Sequence, residues 1–268
     1  MLGSPVGHSR SPALHRAAYA ALGLDGWRYD AIECAEAALP GLVDGLGPEW
    51  VGLSVTMPGK RAALARADLR TERAVAVGSA NTLVRLPDGR WRADCTDIDG
   101  VTGALRERGW PGPRSGRALL IGAGATAAAA VAGVAELGIR ELTVMVRSPE
   151  RAAGTVAVAR EFGLATEVVG WDPALPGVSG ADLVVSTVPA GVADDCARAA
   201  AGAEFVLDAV YHPWPTPMAR AVAEAGGRLA TGLDMLLHQA FGQVEQFTGQ
   251  PAPKAAMAAA LTERAPAS

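Results

Sequence analysis

Leu119-Leu120-Ile121-Gly122-Ala123-Gly124-Ala125-Thr126-Ala127 is the stretch that decides the fold. An apolar run ends in a glycine turn and passes directly into an alanine-rich helical segment. That is the G-x-G-x-x-A form of a dinucleotide-binding strand–turn–helix. Gly122 permits the tight turn, Gly124 lets a pyrophosphate approach the backbone, and Ala127 keeps the helix close to the strand. Gly122, Ala123, Gly124, Ala125, Thr126 and Ala127 are therefore candidate cofactor contacts, with free N–H groups at a helix start holding phosphate. The uncharged run 118–135 approaches the ~20 residues of a membrane-spanning helix. Its Ala and Gly composition and the glycine turn read instead as a buried strand followed by a helix.

The next strand ends in Val146-Arg147-Ser148-Pro149-Glu150-Arg151. An NAD site places Asp or Glu at this strand end to take the ribose 2′-hydroxyl. Here Arg147 stands in that place with Arg151 four residues on, and two guanidinium groups suit a 2′-phosphate. The expected cofactor is NADP.

Outward from this motif, strands are expected at 117–121, 141–146, 165–169, 181–186, 204–209 and 228–230. Helices at 125–137 and 149–162 fall between them, which argues for a mainly parallel α/β sheet. Upstream, a helix is expected from Pro12 to 22, with Ser11 as its N-cap and Pro12 at the first helical position. Strands at 27–34 and 50–57, helices at 35–45 and 60–68, a hairpin over 81–95 turning at Pro87-Asp88-Gly89, and a helix at 96–108 follow. The C-terminal part, 233–248 and 253–264, is helical. Trp110-Pro111-Gly112-Pro113-Arg114-Ser115-Gly116 is the best linker candidate, so two domains joined near residue 110 are expected.

Composition narrows the function. The 268 residues are 50% hydrophobic and 19% charged with a net charge of −4, enough apolar material for a sizeable core and no basic run for nucleic acid. Cys34, Cys95 and Cys196 are odd in number and far apart, which suits a reducing cytoplasm and core packing rather than disulfides or zinc. The N-terminus has neither the basic nor the apolar region of a signal peptide. His8 and His15 have no carboxylate or second His at metal-ligand spacing, and His238 beside Gln239 reads as a helix residue with no chemistry. Of the 24 basic residues only Lys60 and Lys254 are lysine, and Asn81 is the only asparagine. A retained Lys or Asn stands out against that background.

The N-terminal half carries three chemical patterns. Gly3-Ser4-Pro5-Val6-Gly7-His8-Ser9-Arg10-Ser11-Pro12 puts two hydroxyls at a helix start, where a carboxylate is welcome. Capping explains Ser11 but leaves Ser9 without a task. Gly52-Leu53-Ser54-Val55-Thr56-Met57-Pro58-Gly59-Lys60 puts a hydroxyl and an amine just past a buried strand, where open α/β sheets bind ligands. Ser79-Ala80-Asn81-Thr82 precedes the hairpin, and Asp94-Cys95-Thr96-Asp97-Ile98-Asp99-Gly100 follows it.

With these patterns in order, the sequence resembles the shikimate dehydrogenase family along nearly its whole length. The serine-rich start matches residues 3–12, N-V-T-x-P-x-K matches Ser54 to Lys60, A-x-N-T matches Ser79 to Thr82, and N-T-D-x-x-G matches Cys95 to Gly100. Asp208-Ala209-Val210-Tyr211-His212-Pro213-Trp214-Pro215-Thr216-Pro217 resembles D-x-x-Y-x-P-x-x-T-P. Gly232-Leu233-Asp234-Met235-Leu236-Leu237-His238-Gln239-Ala240 resembles G-x-x-M-L-x-x-Q-A.

The resemblance implies reversible, NADPH-dependent reduction of 3-dehydroshikimate to shikimate, with Lys60 and Asp97 as the catalytic pair. Ser9 and Ser11 would hold the substrate carboxylate. Thr56, Asn81, Tyr211 and Gln239 would bond that carboxylate or the ring hydroxyls. Gly122 to Ala127, Arg147, Ser148 and Arg151 would bind NADP, with Thr187, Val210, Gly232 and Met235 near its nicotinamide end. The implied layout is a substrate domain over 1–100, a Rossmann-type domain over 101–237, and helices over 238–268 returning to the first. A monomer or homodimer is expected, with no nucleic-acid or membrane partner. Alternatives are a quinate/shikimate or aminoshikimate dehydrogenase, or a nucleotide-binding relative without turnover. There are departures: Val146, Ser54 and Cys95 each stand where the family usually has Asn, the phosphate loop lacks a third glycine, and only Met1-Leu2 precede Gly3.

Overall fold

The computed structural model describes residues 1–178 and 180–262, which form two compact units: 1–96 with 236 onward, and 97–235. The first begins with β1 (Leu2–Gly3), α1 (Ser11–Ala21), β2 (Ile32–Glu33), α2 (Leu39–Asp44), β3 (Gly52–Ser54) and α3 (Lys60–Arg66). It continues through β4 (Leu69–Arg70), α4 (Glu72–Val77), β5 (Thr82–Arg85) and β6 (Trp91–Asp94). β1 and β2 pair in parallel, and Leu2 bridges in parallel to Val55 beside a sheet of order β3-β5-β6-β4. β5 pairs antiparallel with β6, which is the expected hairpin, and antiparallel with β3 on its other side, while β4 joins β6 in parallel.

The second unit is α5 (Asp97–Glu107), β7 (Arg117–Ile121), α6 (Ala125–Glu136), β8 (Glu141–Met145), α7 (Ala153–Glu161), β9 (Ala165–Val169) and α8 (Leu175–Val178). β10 (Leu183–Ser186), α9 (Ala197–Ala200), β11 (Phe205–Asp208), α10 (Pro217–Glu224) and β12 (Arg228–Thr231) complete it. All its strands are parallel, in the order β12-β11-β10-β7-β8-β9. Counted from β7, that is the 3-2-1-4-5-6 order of a dinucleotide-binding sheet, with its switch point between β7 and β10. α6 lies close against α5 because Gly133 has no side chain: a Cβ there would meet the Val101 side chain at 2.9 Å. The Trp110 to Gly116 stretch thus lies inside this unit, connecting α5 to β7, and the division falls between Thr96 and Asp97.

α11 (Gly232–Thr248) then leads back into the first unit, followed by α12 (Lys254–Thr262). Leu14, Ala18 and Tyr19 of α1 share one core with Val244, Phe247 and Met257, while Leu39, Val43, Leu53, Leu83 and Trp91 form a second. Gly52 lets α11 approach β3, since a Cβ there would fall 2.3 Å from the Phe247 ring. Arg10 donates to the carbonyls of Ala260 and Leu261, satisfying the open end of α12. Among the described residues no helix is long and apolar enough to cross a membrane.

Several local expectations are corrected. Ser11 is the first residue of α1 rather than its cap, and Arg10 occupies the cap without a side-chain bond. Ser9 takes up the helix end instead, its Oγ accepting the Ser11 N–H at 3.3 Å. The helix expected over 35–45 breaks into a 3₁₀ turn at Glu36–Ala38 and α2, because Pro40 lacks an N–H and restarts the helix in its own first turn. The strands expected at 27–34 and 50–57 shrink to β2 and β3. β4 and α4 lie in a stretch for which no element was expected, although Thr71 caps α4 by accepting from Ala74 N and Gly78 closes it at φ +72°. The end of the helix expected over 253–264 lies outside the described residues.

Candidate active site

In the first unit the candidate substrate residues gather where β3, β5 and the hairpin end meet α11. The Asn81 side chain is fixed on every side. Its Oδ1 accepts the Thr96 N–H at 2.8 Å and the Thr82 hydroxyl at 3.0 Å, while its Nδ2 donates to Thr96 Oγ1 at 2.9 Å and to Gln239 Oε1 at 3.1 Å. Gln239 in turn donates to the Leu236 carbonyl at 2.8 Å. Lys60 opens α3, and its carbonyl accepts the Ala80 N–H at 3.0 Å, which sets it beside the segment leading to Asn81. Thr56 is pinned by its N–H to the Leu2 carbonyl at 2.8 Å, and Gly3 makes room for it. Buried Asn81 and Gln239 are thus satisfied by one another, by the Thr82 and Thr96 hydroxyls and by backbone.

Ser9 and Ser11 join this cluster through two residues the motif reading missed. Tyr29 donates to Ser54 Oγ at 2.7 Å, Ser54 donates to Gln243 Oε1 at 2.8 Å, and Gln243 Nε2 reaches the Asn81 carbonyl at 3.0 Å and Thr82 Oγ1 at 3.1 Å. His15 stacks on the Tyr29 ring at 4.0 Å and its Nδ1 donates to the Ser11 carbonyl at 2.9 Å. Burial pushes the His15 imidazole down to about 3, so it is neutral, and its Nε2 has no partner. Gln243 was findable: it lies four residues beyond Gln239, on the same helix face.

Asp94 is the second omission. It ends β6, three residues before Asp97, and accepts five hydrogen bonds: from Thr71 Oγ1, Gln246 Nε2, Cys95 N, and Nε and Nη2 of Arg73. Burial alone would raise its carboxyl; the bonds and charge of Arg73, with Thr71 and Gln246, outweigh that and hold it down to about 2. A depressed carboxylate stabilises the fold above its unfolded value of about 3.8 and loses that contribution as pH falls toward 2. The contribution is about 2 kcal/mol at neutral pH. Urea unfolding of wild type and Asp94→Asn at pH 7 and near pH 3 checks this. The wild type should lose more stability on acidification than the variant, and parallel losses would remove Asp94 from the account.

In the second unit the candidate cofactor residues sit at the carboxyl ends of the parallel strands. Gly122 takes φ +110°, and a Cβ on it would fall 2.8 Å from Thr187 Oγ1 and 2.9 Å from Val188. Thr187 itself donates to the Ile121 carbonyl at 3.1 Å, tying the end of β10 to the turn after β7 across the switch point. Gly124 is the N-cap of α6, with extended backbone, no side-chain cap, and open space where its Cβ would be. Ala123, Ala125 and Thr126 are half-buried, and Ala127 is fully buried against the sheet. Such an uncapped, side-chain-free helix start fits a pyrophosphate. Past β8, Arg147 and Arg151 are exposed and, among the described residues, no ion pair occupies either guanidinium; Ser148 accepts the Arg151 N–H on its carbonyl at 3.0 Å. Two unpaired guanidinium groups fit a phosphate ester.

The loop after β11 is braced by Asp208. Its carboxylate accepts from Thr216 Oγ1 at 2.7 Å and from Val210 N at 3.2 Å, while burial pushes its titration upward. Thr216 also caps α10, so the loop holding Val210 and Tyr211 is closed at both ends. Gly232 must be glycine, because a Cβ would meet the Ala209 carbonyl at 2.3 Å. Met235 follows on α11 and is buried. Asp97 opens α5 directly after Thr96, the residue held by Asn81.

Two family descriptions match the chain: a shikimate dehydrogenase substrate binding domain over residues 1–83 and a shikimate 5'-dehydrogenase C-terminal domain over 232–262. A shikimate dehydrogenase (NADP(+)) of Methylobacterium radiotolerans is 39% identical over 264 residues, covering 95% of this chain and 92% of its own. The chain belongs to the shikimate dehydrogenase family. Among solved members of this family, the shikimate dehydrogenase of Mycobacterium tuberculosis superposes with a TM-score of 0.89 at 56% identity over 97% of both chains. A shikimate 5-dehydrogenase of Thermus thermophilus, solved with NADP(H) and shikimate, superposes at 0.82 with 32% identity over 97% of this chain and 96% of its own.

Proposed function

We propose that this protein is an NADP-dependent shikimate dehydrogenase that interconverts 3-dehydroshikimate and shikimate. The observation that carries this reading is the Asn81–Thr96–Gln239 cluster beside Lys60, which joins Lys60 and Asn81 of the segment matched by the substrate-binding family description to Gln239 of the segment matched by the C-terminal one. The first unit, with α11 and α12, takes the substrate, and the second unit takes the cofactor. Ser9 and Ser11 donate to the substrate carboxylate, while Thr56, Asn81, Tyr211 and Gln239 bond the carboxylate or the ring hydroxyls. Lys60 gives a proton to the carbonyl oxygen as it becomes a hydroxyl, and Asp97 bonds that hydroxyl as the second member of the catalytic pair. The turn from Gly122 through Ala127 cradles the pyrophosphate, and Arg147, Ser148 and Arg151 take the 2′-phosphate. Thr187, Val210, Gly232 and Met235 flank the nicotinamide end. When bound, NADPH supplies the hydride. The three buried cysteines, none of them in a disulfide, support a reducing, cytoplasmic setting.

Steady-state oxidation of shikimate and of quinate, each with NADP⁺ and with NAD⁺, tests this. Shikimate with NADP⁺ should give the highest kcat/KM of the four. A higher value for quinate would move the protein to the quinate/shikimate type, and no turnover in any pair would overturn the enzymatic reading.

A further inference from the structure

The buried polar chain from Tyr29 to Asn81 has only one possible direction. A backbone carbonyl accepts and never donates, so the Asn81 carbonyl fixes the Gln243 amide with Nε2 toward it and Oε1 toward Ser54. The single Ser54 proton then goes to Gln243, and the single Tyr29 proton must go to Ser54. Tyr29 is left with lone pairs alone, so the neighbouring Ser11 hydroxyl turns its one proton toward Tyr29 in the free protein and toward the carboxylate when substrate is bound. His15 clamps both partners, stacking on the Tyr29 ring and holding the Ser11 carbonyl. At the other end, Gln243 donates to Thr82, which passes its proton to Asn81 Oδ1, and this leaves Asn81 Nδ2 to point at Gln239. Tyr29, Ser54, Thr82, Asn81 and Gln243 are all buried, so water cannot substitute for a missing partner.

We propose that Gln243 is a positioning residue for the reaction, the keystone of a one-way relay through Ser54 and Tyr29 that sets the Ser11 and Asn81 side chains together for substrate. The proposal rests on the shikimate reading above. It assigns Gln243 no contact with substrate; its effect reaches the site through the groups it bonds.

The test is a double-mutant cycle on shikimate KM, with KM for NADP⁺ and melting temperature measured alongside. Gln243→Met should raise shikimate KM roughly tenfold while KM for NADP⁺ stays within about twofold, a split that general loosening of the fold would not produce. Combined with Ser11→Ala, its effect should depart from the product of the single effects by about threefold or more. In a Tyr29→Phe background, where the relay is cut, that coupling should vanish. If Gln243→Met does not fold, Ser54→Ala crossed with Ser11→Ala reads the same link with a smaller change. Independent effects of Gln243 and Ser11, or equal rises in both KM values, overturn the relay while wild-type turnover stands. A wild type that turns over no shikimate removes the underlying reading and the relay with it.

Discussion

Lys60→Arg is expected to lower kcat by ~10²-fold or more, the scale of losing a positioned proton donor, while shikimate KM changes much less and the fold survives. The chain uses lysine at only two positions against 22 arginines, the remainder of its 24 basic residues. A charge that merely solvates a surface would have followed the bias to arginine. Lys60 is also the first residue of α3, and its N-cap Gly59 offers no side-chain bond. A cation at that end opposes the helix dipole, so the position is a poor one for a structural lysine. A proton donor must give up its proton and be recharged in each turnover. Lysine does this, whereas arginine holds its proton above pH 12. Comparing Lys60→Arg with Lys60→Met at saturating NADP⁺ separates charge from proton transfer. If arginine restores most of the wild-type kcat, Lys60 contributes charge alone.

Arg147→Ala should raise KM for NADP⁺ by tens-fold while leaving NAD⁺ nearly untouched. A charge-assisted hydrogen bond is worth about 1.5–3 kcal/mol, which converts to roughly ten- to a hundredfold, and the guanidinium is exposed with no ion pair among the described residues to release first. Its side chain therefore loses no internal bond on meeting a phosphate and leaves none broken when truncated, so melting temperature should hold. Equal losses with both cofactors would assign the arginine a different task.

The cofactor half was the more legible part of the sequence, for physical reasons. β7 and β9 occur at the bounds expected; β7 was legible because a strand inside a parallel sheet covered on both faces is a continuous apolar run ended by a turn, whereas β9 is a half-exposed edge strand. The Gly122 turn is local chemistry, readable from adjacent residues. The first unit was harder. Its short strands β1, β2 and β4 span two residues each, too few for any period to register. Yet α4 carried its own signals in Thr71 and Gly78, and the Pro40 break was also visible. The motif residues Asn81 and Gln239 were found through resemblance, but their direct bond joins positions 158 residues apart. The Ser54–Gln243 bond spans 189. Spacing in the sequence cannot reveal such pairings, so Tyr29 and the Asp94 cluster emerged only with the fold; Gln243 shares a helix face with Gln239, but its partners appeared only there.

The central claim is that this chain reduces one carbonyl of one substrate with NADPH. The most direct measurement mixes purified protein with NADPH and 3-dehydroshikimate, follows NADPH consumption, and identifies the product by mass spectrometry against authentic standards. The account predicts shikimate, formed one-to-one with NADPH consumed. NADPH left unconsumed beside intact 3-dehydroshikimate, or a product other than shikimate, would contradict it.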